Sequence, residues 1–379
     1  VQAKNKRRLQ TSLILVGAYL LYDLYYRYKN SLLTSNNQEE ELDLDQVLLP
    51  LDWLSEQDYQ EQMDQVLKQL AVHKTSHRLD LEPGPLVYQV YTPRQVKGRV
   101  ILVHGFNEFK ERYQESVYYF FQAGFQVVVY DQRGHGESRT DLEERQIDVA
   151  SFEAYVSDLD LLVDLMAAKE DLATYLFGHS MGGAVVAKYL QEHPGKVQAA
   201  ILSSPMFSIN TWHIPESMTY LYSQLANLGL GQQPVPAIDT YVPGYQHHIL
   251  PSPEIGKSGE RAEYYTQLKS AIYEYPTRGV SIQWLNTSLE AIHQLLDKHA
   301  LRSITEPVLI IRSGNDQIVN AEGIYTASQG IPKARSLVVP GADHEIDLEA
   351  DRVVHAYFNE MILFLLKNNF NDKVRRAKL

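Results

Sequence analysis

Between about Leu86 and Lys367 the chain alternates two hydrophobic rhythms. Short apolar runs, Val100 to Val103, Val127 to Tyr130, Tyr175 to Phe177, Ala199 to Leu202, Val308 to Ile311 and Leu337 to Val339, predict strands. Between them lie stretches with apolar residues at three- and four-residue steps. The clearest is Phe152, Tyr155, Val156, Leu159, Leu162, Val163 and Met166, one face of a helix packed on a sheet. Strands alternating with helices in this way predict an α/β fold with a mostly parallel central sheet flanked by helices.

The pattern also divides the chain. Residues 1–29 carry Lys4, Lys6, Arg7 and Arg8 before an apolar run from Ser12 to Tyr22, which resumes after Asp23. A basic flank and an apolar segment suggest membrane targeting. The run is shorter than the roughly 20 apolar residues of a spanning helix, and no small-residue cleavage site follows it. An uncleaved anchor, a cleaved signal and a surface helix all stay open, and Arg27 and Lys29 blunt any charge argument for orientation. Residues 30–85 are polar and acidic, with Glu39, Glu40, Glu41, Asp43 and Asp45 ahead of a helix expected around Gln57 to Leu70. They read as a linker plus a peripheral element.

The first half of the core is expected over 86–206 and the second over 302–370. From 207 to 301 the strand rhythm stops, and pieces such as Met218 to Leu228 are amphipathic, so an inserted helical cap is predicted there. The basic end, 371–379, is expected to be a solvated tail.

Charge and composition narrow the function. A formal net charge of -12 argues against a nucleic-acid partner, which needs an excess of Lys and Arg on its binding face. The absence of cysteine excludes disulfides, thiolate metal sites and a cysteine nucleophile.

Candidate chemistry centres on Thr174 to Val186, where a strand, a tight turn and a helix place Ser180 inside Gly178-His179-Ser180-Met181-Gly182. Flanking glycines permit a strained turn that exposes the hydroxyl at the top of the sheet, and the following helix N-terminus faces developing negative charge. A serine hydroxyl is a weak nucleophile at neutral pH and needs a base, which in turn needs an orienting acid. Asp316, in the loop after Val308 to Arg312, and His344, in the loop after Ser336 to Val339, fall where the acid and base are expected.

Asp343 is the alternative acid, and Glu345 and Asp347 are expected to be solvated or helix-capping. The oxyanion is assigned to the backbone amides of Met181 and of Phe106, the latter in the run His104-Gly105-Phe106-Asn107-Glu108. His104 is expected to brace that loop. Arg133 and His135, in the turn Asp131 to Ser138, are expected to hold neighbouring loops together.

Taken together, His104-Gly105, Asp131 to Ser138, Gly178 to Gly183, Asp316 and His344 resemble the motif set of the α/β-hydrolase superfamily, in its order. The runs Gly-His-Ser-Met-Gly-Gly and Arg-Gly-His-Gly-Glu-Ser resemble the bacterial lysophospholipase and monoacylglycerol lipase branch, related to the S33 serine aminopeptidases. Ser204-Pro205-Met206-Phe207 and His344-Glu345-Ile346 are similar to the lysophospholipase members.

The resemblance implies hydrolysis of one acyl ester of a single-chain glycerolipid through an acyl-enzyme, with no metal or organic cofactor and a lipid as the partner at the site. It implies nothing about oligomeric state. A short-chain carboxylesterase or thioesterase, a proline iminopeptidase-like enzyme using Glu254, Glu260 or Glu263, and a non-catalytic binding protein are the other readings. The location expected is membrane-associated through the N-terminus, against a cytoplasmic or exported soluble form.

Overall fold

The computed structural model describes residues 39–140, 146–211, 214, 216–235, 256–272 and 279–376. The N-terminal basic and apolar segment, Glu254 and the last residues of the basic end lie outside them.

Nine strands form one sheet: β1 (Glu40–Glu41), β2 (Lys74–Leu79), β3 (Leu86–Tyr91), β4 (Gly98–Val103), β5 (Phe125–Tyr130), β6 (Thr174–His179), β7 (Ala199–Ser203), β8 (Val308–Ser313) and β9 (Ala334–Val339). Their order is β1-β9-β8-β7-β6-β4-β5-β3-β2. All neighbours are parallel except β3 with β5 and β2 with β3. The strands expected from the apolar runs are therefore the central ones, each longer by one to three residues at one or both ends.

Why they are continuous apolar runs follows from the packing. Ile101, Val103, Val128, Leu176, Leu202 and Ile310 join the core on one face, and Val100, Leu102, Val127, Phe177, Ile201 and Ile311 the core on the other. With both faces covered, every position of β4, β5, β6 and β7 is buried. On the first face sit α3 (Glu153–Lys169) and α4 (Met181–Glu192); on the second sit α1 (Tyr59–Ala71) and α2 (Gln114–Gln122). In α3, Tyr155, Val156, Leu159, Leu162, Val163 and Met166 are buried, the spacing the sequence predicts.

Residues 39–85, expected as a linker and a peripheral helix, supply two edge strands and one helix to the fold. β1 pairs with β9, and Glu39 and Glu40 are tied to Arg312 and Arg335. α1 buries Tyr59, Met63, Val66 and Leu70, and β2 closes the far edge of the sheet. β2 reads Lys-Thr-Ser-His-Arg-Leu, and its charges keep an edge strand from pairing onward.

The inserted region holds α5 (Glu216–Leu230), α6 (Gly259–Ala271) and α7 (Ile282–Leu295), followed by α8 (Lys298–Ser303), α9 (Ala321–Gly330) and the long α10 (Asp351–Arg376). Within it, α7 buries Ile282, Trp284, Leu285, Leu289, Ile292 and Leu295 in the same core as α3 and α4. The region expected as a basic tail begins as a continuation of α10, which stays helical to Arg376.

α6 is fastened from beneath by Arg261, whose side chain is fully buried. Its guanidinium donates to Glu115 at 3.1 and 3.2 Å, to Asp351 at 2.8 Å and to the Leu54 carbonyl at 3.3 Å. Glu115 also accepts from the Tyr59 and Tyr119 hydroxyls at 2.6 and 2.7 Å. Removing the cation leaves a buried carboxylate with neutral donors only. Arg261→Met is therefore expected to lower unfolding free energy by about 3 kcal/mol or more in denaturant titration. A loss below about 1 kcal/mol, the worth of an exposed pair, would contradict this.

Candidate active site

β6 ends at His179 and α4 begins at Met181, so Ser180 alone makes the turn. Its φ of 50° and ψ of -117° lie where side-chain-bearing residues are rare, at a cost of order 1–3 kcal/mol that the surroundings must hold in place. They do so through the backbone: Ser180 donates to the Ser203 carbonyl at 2.9 Å, and its own carbonyl accepts from Gly183 and Met206 at 2.9 Å. The glycines are sterically required. A Cβ at Gly182 would lie 2.1 Å from the Val103 carbonyl oxygen, and one at Gly178 would lie 2.4 Å from the Gly182 carbonyl oxygen.

The loops after β8 and β9 meet beside this turn. His344 donates from Nδ1 to Asp316 Oδ2 at 2.7 Å; the carboxylate is an acceptor only, which leaves Nε2 as the free ring nitrogen. Asp316 Oδ2 also accepts from the Ser313 hydroxyl at 2.7 Å, and Oδ1 from the Ile318 and Val319 amides at 2.9 Å each. Burial alone would raise this carboxyl, but the His344 bond and charge and the further donors outweigh it and hold it below its ordinary value.

Asp343 points elsewhere: it accepts from the Asn315 side chain at 2.6 Å, and its amide donates to Glu349 at 2.7 Å. The ring of His179, the residue before Ser180, has its centroid 5.1 Å from that of His344. Among the described residues Ser180 and His344 share no hydrogen bond in this conformation. Such bonds tighten when substrate is bound.

The loop after β4 lies against the first turn of α4. Met181 is fully buried at the start of that helix, and Phe106 is half-buried with its ring 5.0 Å from Trp284 of α7. Among the described residues, neither the Phe106 nor the Met181 amide has a hydrogen-bond acceptor. His104 braces the loop from behind. Its Nε2 accepts from the Gln132 amide at 2.9 Å while its Nδ1 donates to the Gly105 carbonyl at 2.7 Å. Burial pushes it down to about 4, so it is neutral. Arg133 makes a two-pronged pair with Asp158 at 2.6 and 3.0 Å, and the His135 ring lies 5.0 Å from His104.

Five charged residues here were given no such role by the sequence reading. Glu345 and Asp347 are not solvated: both are bound to Arg112, whose side chain is 1 % exposed. Arg112 also meets Glu108, which faces His179. Lys269 of α6 donates to the Asn107 carbonyl at 2.8 Å, and its ammonium is brought down to about 8 by burial, against the pull of Glu345 and Glu108. No motif marks these residues; the only signal was an uncommon density of charge in Glu108 to Glu115 and in Asp343 to Asp347. Among the described residues no group of His, Asp or Glu is arranged to hold a metal ion.

The geometry is that of an α/β-hydrolase, and the comparisons agree. Residues 94–351 match the family model described as serine aminopeptidase, S33, and the chain belongs to that family. It is 27% identical over 262 residues to the probable lysophospholipase L2 of Haemophilus influenzae, covering 68% of this chain and 80% of that one. It is 25% identical over 280 residues to human monoglyceride lipase, covering 71% and 82%. Among solved structures it is similar to a soluble variant of monoglyceride lipase from Saccharomyces cerevisiae, with TM-score 0.64 and 21% identity over 77% of this chain and 94% of that one. It is likewise similar to a carboxyl esterase from Bacillus coagulans, with TM-score 0.65 and 21% identity over 78% and 99%.

Proposed function

We propose that the protein hydrolyses the acyl ester of a single-chain glycerolipid, a lysophospholipid or a monoacylglycerol, through an acyl-enzyme on Ser180. The observation that carries this reading is the His344–Asp316 hydrogen bond beside a serine held at positive φ. Ser180 Oγ attacks the acyl carbonyl carbon while His344 Nε2 takes the hydroxyl proton, and the Asp316 carboxylate stabilises the imidazolium that forms. The amides of Phe106 and Met181 donate to the oxyanion. Collapse breaks the ester bond, and His344 returns the proton to the departing glycerol oxygen. Water, deprotonated by the same nitrogen, then releases the fatty acid and restores Ser180.

The lipid part of the reading rests on relatives matched along most of their length whose names are lysophospholipase and monoglyceride lipase. The peptidase alternative, which the family's description would favour, needs a cap carboxylate turned toward the site. Glu260 and Glu263 are exposed on α6, and Glu263 accepts from Gln267 of its own helix at 3.0 Å.

The surface supports a lipid approach. α5 buries only Ser223 and leaves Met218, Leu221, Tyr222, Leu225 and Leu228 from 51% to 86% exposed at three- and four-residue steps. An exposed apolar stripe of this kind suits contact with a lipid interface. No helix among the described residues is long and apolar enough to cross a membrane. We place the membrane-facing side at α5, with the N-terminal segment as a second attachment.

Two measurements test the reading. Given lysophosphatidylcholine, lysophosphatidylethanolamine, monoolein, a short p-nitrophenyl ester and a proline amide, the protein is expected to turn over the lipids fastest. Ser180→Ala is expected to lose roughly 10⁴-fold or more. Fastest turnover of the amide, or wild-type rates in Ser180→Ala, would overturn it. For the surface, liposome flotation of a chain starting at Asn30 is expected to fall several-fold when Leu221, Leu225 and Leu228 are all changed to Ser. Equal flotation would remove α5 from the account.

A further inference from the structure

A buried ionic cluster lies directly behind the reacting groups, and its members come from three loops. Glu108 belongs to the loop after β4, His179 ends β6, and Glu345 and Asp347 follow β9. Arg112 sits in their midst. It is 3.1 Å from Glu108 Oε1 through Nε, 2.6 Å from Asp347 Oδ2 through Nη1, and in contact with Glu345 through Nη2. Its guanidinium also packs over the rings of Tyr113 and Tyr265 at 5.0 and 5.3 Å.

The second oxygen of Glu108 accepts from the Gly105 amide and from the Tyr113 hydroxyl at 2.6 Å, while its first faces His179 Nδ1 at 3.3 Å. Gly105 is what allows the closure: a Cβ there would lie 2.9 Å from Glu108 Oε2 and 3.1 Å from His179 Nδ1.

Each contact falls one residue away from a working group. Gly105 precedes Phe106, His179 precedes Ser180, and Glu345 follows His344. Phe106 is bracketed on its other side as well, because Asn107 accepts from Lys269. A covalent neighbour that moves by an ångström carries its partner's amide or hydroxyl with it. An amide stabilises an oxyanion only within a few tenths of an ångström of its best place.

We propose that Glu108 is a positioning residue for the hydrolysis: clamped by Arg112, its carboxylate ties the oxyanion loop to the nucleophile strand and so fixes the Phe106 amide relative to Ser180 and Met181.

The charge states fit this role. Burial works against the ionised Glu108, but Arg112 and His179 outweigh it and hold the carboxyl well below its ordinary value. Burial likewise works against a charged His179, and Glu108 outweighs it and raises the imidazole. Each partner is thus shifted toward its charged form by the other. Neither His179 nitrogen makes an aligned hydrogen bond, nor does Glu108 Oε1. Buried polar atoms are rarely left so unless the site needs the arrangement.

The proposal rests on Ser180 as the nucleophile of an ester hydrolase, so its test uses a soluble short p-nitrophenyl ester on the full chain. Glu108→Gln keeps the shape and an acceptor for Gly105 but removes the charge that holds Arg112 and His179. Measured well below its melting temperature, it is expected to lose about 100-fold in kcat, the order of one oxyanion donor, with KM within about threefold of wild type. Met361→Ala, which opens a cavity at a fully buried position of α10, serves as the control for destabilisation alone.

The control is expected to lower Tm at least as far while keeping kcat within about threefold. Wild-type kcat in Glu108→Gln would overturn the positioning role. So would a kcat loss in Met361→Ala that follows its Tm as steeply. A wild-type chain that does not cleave the ester would instead sink the hydrolase reading on which the role depends.

Discussion

The site depends on one close approach of backbone to backbone. Gly182 sits so near the ends of β4 that a single added carbon would lie 2.1 Å from the Val103 carbonyl oxygen and 2.6 Å from that of His104. That contact brings the first turn of α4 against the loop carrying Phe106. The positive φ of Ser180 is the other half of the constraint, because only so sharp a turn lets a strand enter a helix packed this closely on its neighbour. The parallel sheet supplies the rest: strands that all end on the same side deliver their loops to the same place.

What sterics bring close, charge then holds in register. Two buried guanidinium groups do similar work at different levels. Arg261 fastens α6 to α2 and to the start of α10, while Arg112 gathers the loops after β4 and β9, and Glu108 faces the end of β6. Buried ion pairs are poor sources of net stability, since desolvation offsets most of their attraction. Their value here is directional. A hydrophobic cluster of equal volume would hold the same elements together with far less control over where an amide points. Lys269 and Trp284 extend the arrangement to α6 and α7, both of which touch the residues around Phe106.

Much of this was legible in the chain before any coordinates. The central strands announced themselves as continuous apolar runs because both of their faces are covered. The turn at Ser180 announced itself because its glycines answer to backbone contacts that no other residue tolerates. Asp316 and His344 could be placed by order and by loop position, whereas Asp343, the alternative acid, accepts from Asn315.

The edges were not legible. β2 is a polar strand whose pairing is made by its neighbour's backbone, and β1 is two exposed glutamates, of which Glu40 is held by Arg335 almost three hundred residues away. The ionic cluster escaped for a related reason. Charged residues read locally are assigned to solvent, and only the meeting of separate loops turns Glu345 and Asp347 inward. The exposed stripe of α5 was readable as amphipathic, but its apolar side faces out, which periodicity alone does not tell.

The central claim is that Ser180 is the nucleophile and that His344 activates it. The most direct measurement is intact mass and peptide mapping after reaction with a fluorophosphonate, which is attacked only by an activated serine. The account predicts one adduct per chain, located on Ser180, with labelling slowed by orders of magnitude in His344→Ala. An adduct on another residue, or labelling of Ser180 at an unchanged rate without His344, would contradict it.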